Sequence, residues 1–188
     1  MLSAGLLFAF AVVAAASEWF LKPRREGVAS PIGVLTDRVM AGTTVIALVG
    51  PLLLEALLPS GLSATTSSLV VVAGVFMALG GISLRAWSMV RLGRRFQLTP
   101  MSIPGQPCVV SSGPYAVVRH PGYAGLVTAF VGASFFFGQP LSVLFVLPMA
   151  FGSLGRIRFE EISLISELGE TYAMYRRSVK WRLIPKIY

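Results

Sequence analysis

The residues best suited to chemistry lie in two short clusters. The first is Ser112-Gly113-Pro114-Tyr115-Ala116-Val117-Val118-Arg119-His120-Pro121-Gly122-Tyr123, which holds the chain's only histidine. Proline fixes φ and removes a donor, and glycine opens backbone shapes closed to other residues, so this stretch reads as a rigid polar elbow rather than a continuing helix. His120 precedes a proline and is held in extended geometry. Such an imidazole suits a general base, a metal ligand or a hydrogen-bonding anchor. The second cluster runs from Arg156 to Tyr175 and contains Arg158, Glu160 and Glu161. Glu160 follows Arg156 by one helical turn, so the two are neighbours on a helix. They read either as an interfacial salt-bridge lattice or as a ligand site in which an arginine fork meets an anion. Arg85 stands apart, inside an apolar run, where a charge is costly unless it pairs or faces a polar cavity.

The elements that must position these groups are apolar helices. The 188 residues are 55% hydrophobic with a mean hydropathy of +0.75, too apolar for a soluble domain. A helix needs about 20 residues to cross the hydrocarbon. Five candidate spans fit, at roughly 2–21, 39–58, 67–90, 123–138 and 140–157. The fourth and fifth are parted only by Gly138-Gln139-Pro140 and are expected to form a tight hairpin. The expected fold is thus an all-α integral membrane protein of five transmembrane helices, with a cytoplasmic elbow and a C-terminal amphipathic helix. In that helix Ile162, Ile165, Leu168, Tyr172 and Tyr175 fall near one face, interrupted by Gly169. One domain spans 1–188, with lipid-side helices over 1–79 and a core over 80–188.

Loop charges orient the chain. Lys22, Arg24, Arg25 and Arg38 follow the first span, and the loop Pro59 to Ser67 carries no charge. Arg91, Arg94, Arg95 and Arg119 follow the third span, the turn at Gly138 is uncharged, and the tail is basic again. By the positive-inside rule the N-terminus lies outside and the C-terminus in the cytoplasm. Both polar clusters then meet at the inner membrane face. The net charge of +8 is explained by basic helix ends facing anionic membrane lipids, with no folded polar surface for nucleic acid. The first span has no basic n-region and is long for a cleaved signal. Cys108 is the only cysteine, which excludes an intramolecular disulfide, and with one histidine a metal site has little support. Without asparagine there is no N-glycosylation acceptor.

Taken in order, Leu92-Gly93-Arg94-Arg95-Phe96, Val110-Ser111-Ser112-Gly113-Pro114-Tyr115, Arg119-His120-Pro121-Gly122-Tyr123-Ala124-Gly125, Arg156-x-Arg158-x-Glu160-Glu161, Leu168-Gly169-x-x-Tyr172-x-x-Tyr175 and Leu183-Ile184-Pro185 resemble the isoprenylcysteine carboxyl methyltransferase family, which belongs with the phospholipid N-methyltransferases. The likeness covers residues 80–188. It implies S-adenosylmethionine as cofactor, wrapped by Gly113, Pro114, Tyr115, Arg119, His120, Pro121 and Tyr123 and met from the other side by Glu160 or Glu161. It implies no metal. Arg156 is placed at the junction with the substrate, and Arg156, Glu161 and Arg119 are the residues expected to carry the reaction. Arg85, deeper in the membrane, is the second candidate for the substrate's charge.

The implied reaction is methyl esterification of a carboxylate on a lipophilic, isoprenoid substrate drawn from the bilayer. It fits the inventory of residues. A carboxylate is already a nucleophile, so the protein must align and exclude water, and alignment contributes about 7–11 kcal/mol. An acid entering an apolar pocket also needs a cationic partner. Three other classes compete: methylation of a phospholipid or other lipid amine, an NADPH-dependent sterol-type reductase, and a small transporter. Reductases of that type carry more spans, and a transporter places polar residues near the midplane rather than at one face.

Overall fold

A computed structural model describes residues 31–57, 67–93, 109–136 and 140–188. The expected first span, the loop 59–66, Arg94 to Phe96 and Cys108 lie outside those residues. Within them the chain is helical, without strands. Helix α1 is Pro31–Leu57, α2 is Ser68–Leu92, α3 is Pro121–Phe136, α4 is Leu147–Leu168 and α5 is Glu170–Ser178. Short 3-10 turns at Gly113–Ala116 and Pro140–Phe145 precede α3 and α4.

Among the described residues three segments are long and apolar enough to cross a membrane: Pro31–Pro51, Ser68–Leu92 and Leu141–Leu168. Their outer faces carry Leu69, Phe76, Val90 and Phe151, all exposed, as lipid-facing side chains should be. The 16-residue α3 is about 24 Å long and falls short of the hydrocarbon thickness by itself. The multi-pass membrane architecture is therefore present.

Two expectations change. The second span begins at Pro31 rather than near 39. Proline suits a first helical turn, and Asp37, which marks a boundary in a hydropathy reading, is kept inside the helix by pairing with Arg156 of α4. The last two spans, expected to form a tight hairpin, touch each other, but each lies mainly along another helix. Helix α3 lies along α2, and α4 lies along α1. The cause is a seam of small residues. A Cβ added to Gly125 of α3 would sit 2.7 Å from both the Arg85 nitrogen and the Gly81 oxygen of α2, and one added to Gly132 would sit closer still to the Ala78 nitrogen. Backbone cannot move aside as a side chain can, so α2 and α3 are locked at a distance only glycine permits. A core of Ala47, Leu126, Phe130, Val146 and Met149 then joins the two pairs.

At the other end, α4 stops at Gly169, whose φ of 52° suits a glycine. The break turns the chain so that Tyr172 and Tyr175 of α5 are buried against Val179, Val109, Leu164 and Leu168. Ile162 and Ile165, expected on the same face, are exposed instead. The break at Gly169 changes the direction of the axis, so residues on its two sides do not share one face.

Candidate functional site

The polar ends of α1, α2, α3 and α4 converge with the elbow and the tail. The elbow is fixed first by backbone. The Arg119 and His120 amides donate to the Trp181 and Arg182 carbonyls at 2.9 and 2.8 Å. The Tyr175 hydroxyl donates to the Tyr115 carbonyl at 2.8 Å, and the Tyr115 hydroxyl lies 3.4 Å from the Ser88 carbonyl of α2. Burial raises both phenols, Tyr175 to about 12, so they act as neutral donors. Gly113, at φ 62°, lies against Trp87 and Arg91, and buried Pro114 and Pro121 flank the turn into α3.

The two adjacent glutamates then take different partners. Glu161 is saturated. Its Oε1 accepts from Arg119 Nε at 2.8 Å, and its Oε2 accepts from Arg182 Nε and NH2 at 3.0 and 2.8 Å. Arg119 NH1 continues to the Val179 and Lys180 carbonyls, both at 2.8 Å. Glu161 thus ties α4, the elbow and the tail into one unit. Glu160 is more open. Its Oε1 accepts from the Tyr123 hydroxyl at 2.6 Å and from Arg156 Nε at 3.1 Å, while among the described residues Oε2 faces only His120 Nδ1, 3.5 Å away.

His120 sits between the two acids, with Nε2 3.5 Å from Glu161 Oε1. Burial is the largest influence and opposes its charged form, but bonding to Glu160 and Glu161, and their charge, outweigh it and raise the pKa above the usual value. Its Nε2 is buried, and among the described residues its one near polar neighbour is that Glu161 oxygen, at a distance too long for a well-formed bond.

Arg156 is 2% exposed and reaches across to α1. NH1 lies 3.0 Å from Asp37 Oδ1, donates to the Gly33 carbonyl at 3.2 Å and bonds to the Thr36 hydroxyl. NH2 is buried and, among the described residues, has no hydrogen-bond partner. Arg85 is also buried, and its NH1 donates to the Gly122 carbonyl at 3.0 Å, next to Tyr123.

The candidate cofactor and substrate residues read from the sequence are therefore all at this end of the bundle. Arg119, His120, Tyr123, Arg156, Glu160 and Glu161 form one contiguous network. Arg85 touches it through Gly122, and Gly113, Pro114, Tyr115 and Pro121 shape the elbow beside it. Sequence reasoning missed Gly33, Thr36, Asp37 and Arg182. Asp37 carried one signal, a lone carboxylate at the edge of an apolar run; Arg182 was hidden among the basic residues of the tail. Among the described residues no group of three or more potential ligands is arranged for a metal ion.

The fold and site define an all-helical, multi-pass membrane protein with a buried arginine–carboxylate network at one end. A family model described as the isoprenylcysteine carboxyl methyltransferase (ICMT) family matches residues 72–166, half of the chain, and the chain belongs to that family. It is 35% identical over 106 residues to the protein-S-isoprenylcysteine O-methyltransferase of Schizosaccharomyces pombe, over 55% of this chain and 44% of that one. A weaker match, 27% over 82 residues, is to a Delta(14)-sterol reductase of Methylotuvimicrobium alcaliphilum, over 43% of this chain and 19% of the reductase. The chain spans about half the length of the curated methyltransferases it matches. The solved structure of a eukaryotic intramembrane Ras methyltransferase, ICMT, has the same fold. Its TM-score is 0.68 at 21% identity, over 98% of this chain and 67% of that one.

Proposed function

We propose that the protein is an S-adenosylmethionine-dependent methyltransferase that esterifies a carboxylate on a prenylated, lipophilic substrate. We further propose five spans with an outer N-terminus, the network facing the cytoplasm. Family membership sets the reaction class. The observation that carries the choice of acceptor is the Arg156 guanidinium, buried with NH2 unbonded beside Glu160.

The donor set fits the cofactor. Glu160 Oε2 is an acceptor suited to ribose hydroxyls, His120 Nε2 is a buried nitrogen with only the loose 3.5 Å contact to Glu161 Oε1 among the described residues, and the elbow from Gly113 to Tyr123 supplies a fixed wall. When bound, S-adenosylmethionine supplies a methyl group on a sulfonium, which a carboxylate accepts without losing a proton. The protein therefore needs no general base. Arg156 holds the acid, Glu160 and His120 hold the polar part of the cofactor, and Glu161 with Arg119 and Arg182 keeps the elbow closed over them. Arg85, Arg119, Arg156 and Arg182 outnumber Asp37, Glu160 and Glu161, so the site carries an excess of positive charge that favours an anionic acceptor over a lipid amine.

Calorimetric titration of the detergent-solubilised protein tests the cofactor class. S-adenosylmethionine is expected to bind and NADPH is not. Binding of NADPH alone would move the protein to the reductases.

A further inference from the structure

Arg156 is oriented from outside the segment that the family model matches. That segment starts at residue 72, whereas Gly33, Thr36 and Asp37 belong to α1. A guanidinium is planar, with its five N–H directions fixed relative to one another. Glu160 takes Nε from within α4, one turn away, and could do so in more than one rotamer of the arginine. Asp37 Oδ1, the Thr36 hydroxyl and the Gly33 carbonyl take NH1 from a different helix. With two nitrogens held from two elements, the plane is set and NH2 has one direction left. That nitrogen is buried and makes no hydrogen bond among the described residues.

We infer that Asp37, supported by Thr36, is a positioning residue that aims Arg156 NH2 at the carboxylate of the acceptor. It makes α1 a determinant of acid specificity. The inference rests on the proposed carboxylate acceptor, and electrostatics alone predicts the opposite sign. Asp37 partly cancels the charge of Arg156, so a purely coulombic role means that removing Asp37 tightens binding of an acid. A positioning role means that removing it weakens acid binding, because the fork swings away.

The test compares equilibrium binding of farnesylated cysteine with that of its carboxamide, using the full chain in detergent. The wild type is expected to prefer the acid. Asp37→Ala is expected to lower that preference by about ten- to a hundredfold, the cost of an ångström-scale misplacement, while the carboxamide binds as before. Asp37→Asn keeps an oxygen at the same place and should retain most of the preference. Thr36→Val removes one hydroxyl at nearly constant volume and should give a smaller loss in the same direction; it carries the test if Asp37→Ala does not fold. Undiminished or stronger acid preference in Asp37→Ala, or in Thr36→Val where that variant carries the test, overturns the inference. A wild type that does not distinguish acid from amide overturns the carboxylate acceptor itself.

Discussion

Replacing Arg156 by lysine is expected to lower methyl transfer by about 10²–10³-fold, the loss typical when one preorganised donor at a reacting centre is removed. Affinity for S-adenosylmethionine should change little. Lysine keeps the positive charge, so Asp37 and Glu160 retain a counter-ion and the bundle keeps its electrostatic balance. It loses the fork. A single ammonium cannot meet Glu160 through one nitrogen, Asp37 through a second and an incoming carboxylate through a third. Steady-state kinetics on a prenylated acid, with calorimetry of cofactor binding, separates the two effects. A lysine variant with normal turnover would show that charge alone is needed there.

Glu161→Ala is expected to destabilise the protein by about 3–5 kcal/mol, the penalty for leaving a buried charge without its partner. The carboxylate meets Arg119 on one oxygen and the Arg182 fork on the other, and both Arg119 and Glu161 are buried. Its removal takes the side-chain tie between α4, the elbow and the tail and leaves Arg119 Nε without its acceptor, while the backbone bonds of the elbow to Trp181 and Arg182 remain. Glu160→Gln is the matched comparison. The amide oxygen still accepts from Tyr123 and Arg156, so that variant should melt near the wild type while binding the cofactor more weakly. Thermal unfolding in detergent, alongside cofactor titration, reads both. If Glu161→Ala melts normally yet fails to bind cofactor, Glu161 contacts the ligand and is not the tie described here.

Much of this was legible in the sequence because the constraints were local. Runs of apolar residues announce membrane helices, Pro121 and the elbow glycines announce a break, and the four-residue step from Arg156 to Glu160 announces a shared helix face. What was not legible depended on which helices pair. Loop lengths suggested that α3 and α4 form a hairpin. The glycines at 81, 125 and 132 instead bring α2 and α3 into backbone contact, and hydropathy treats glycine as nearly neutral. That pairing leaves α4 to α1, which is why Asp37 reaches Arg156. The division of labour between Glu160 and Glu161 was equally hidden. The two are adjacent and chemically identical, and only the path of the tail, carrying Arg182 back to the elbow, saturates one of them.

The most direct test of the central claim is transfer of labelled methyl from S-adenosylmethionine to a panel of farnesylated cysteine, free isoprenoid acids, lipid amines and lipid thiols, with the product identified by mass spectrometry. A methyl ester on a prenylated or isoprenoid acid, released as methanol by base, is the predicted result. Label appearing on an amine or thiol while the acids stay unmodified would contradict it.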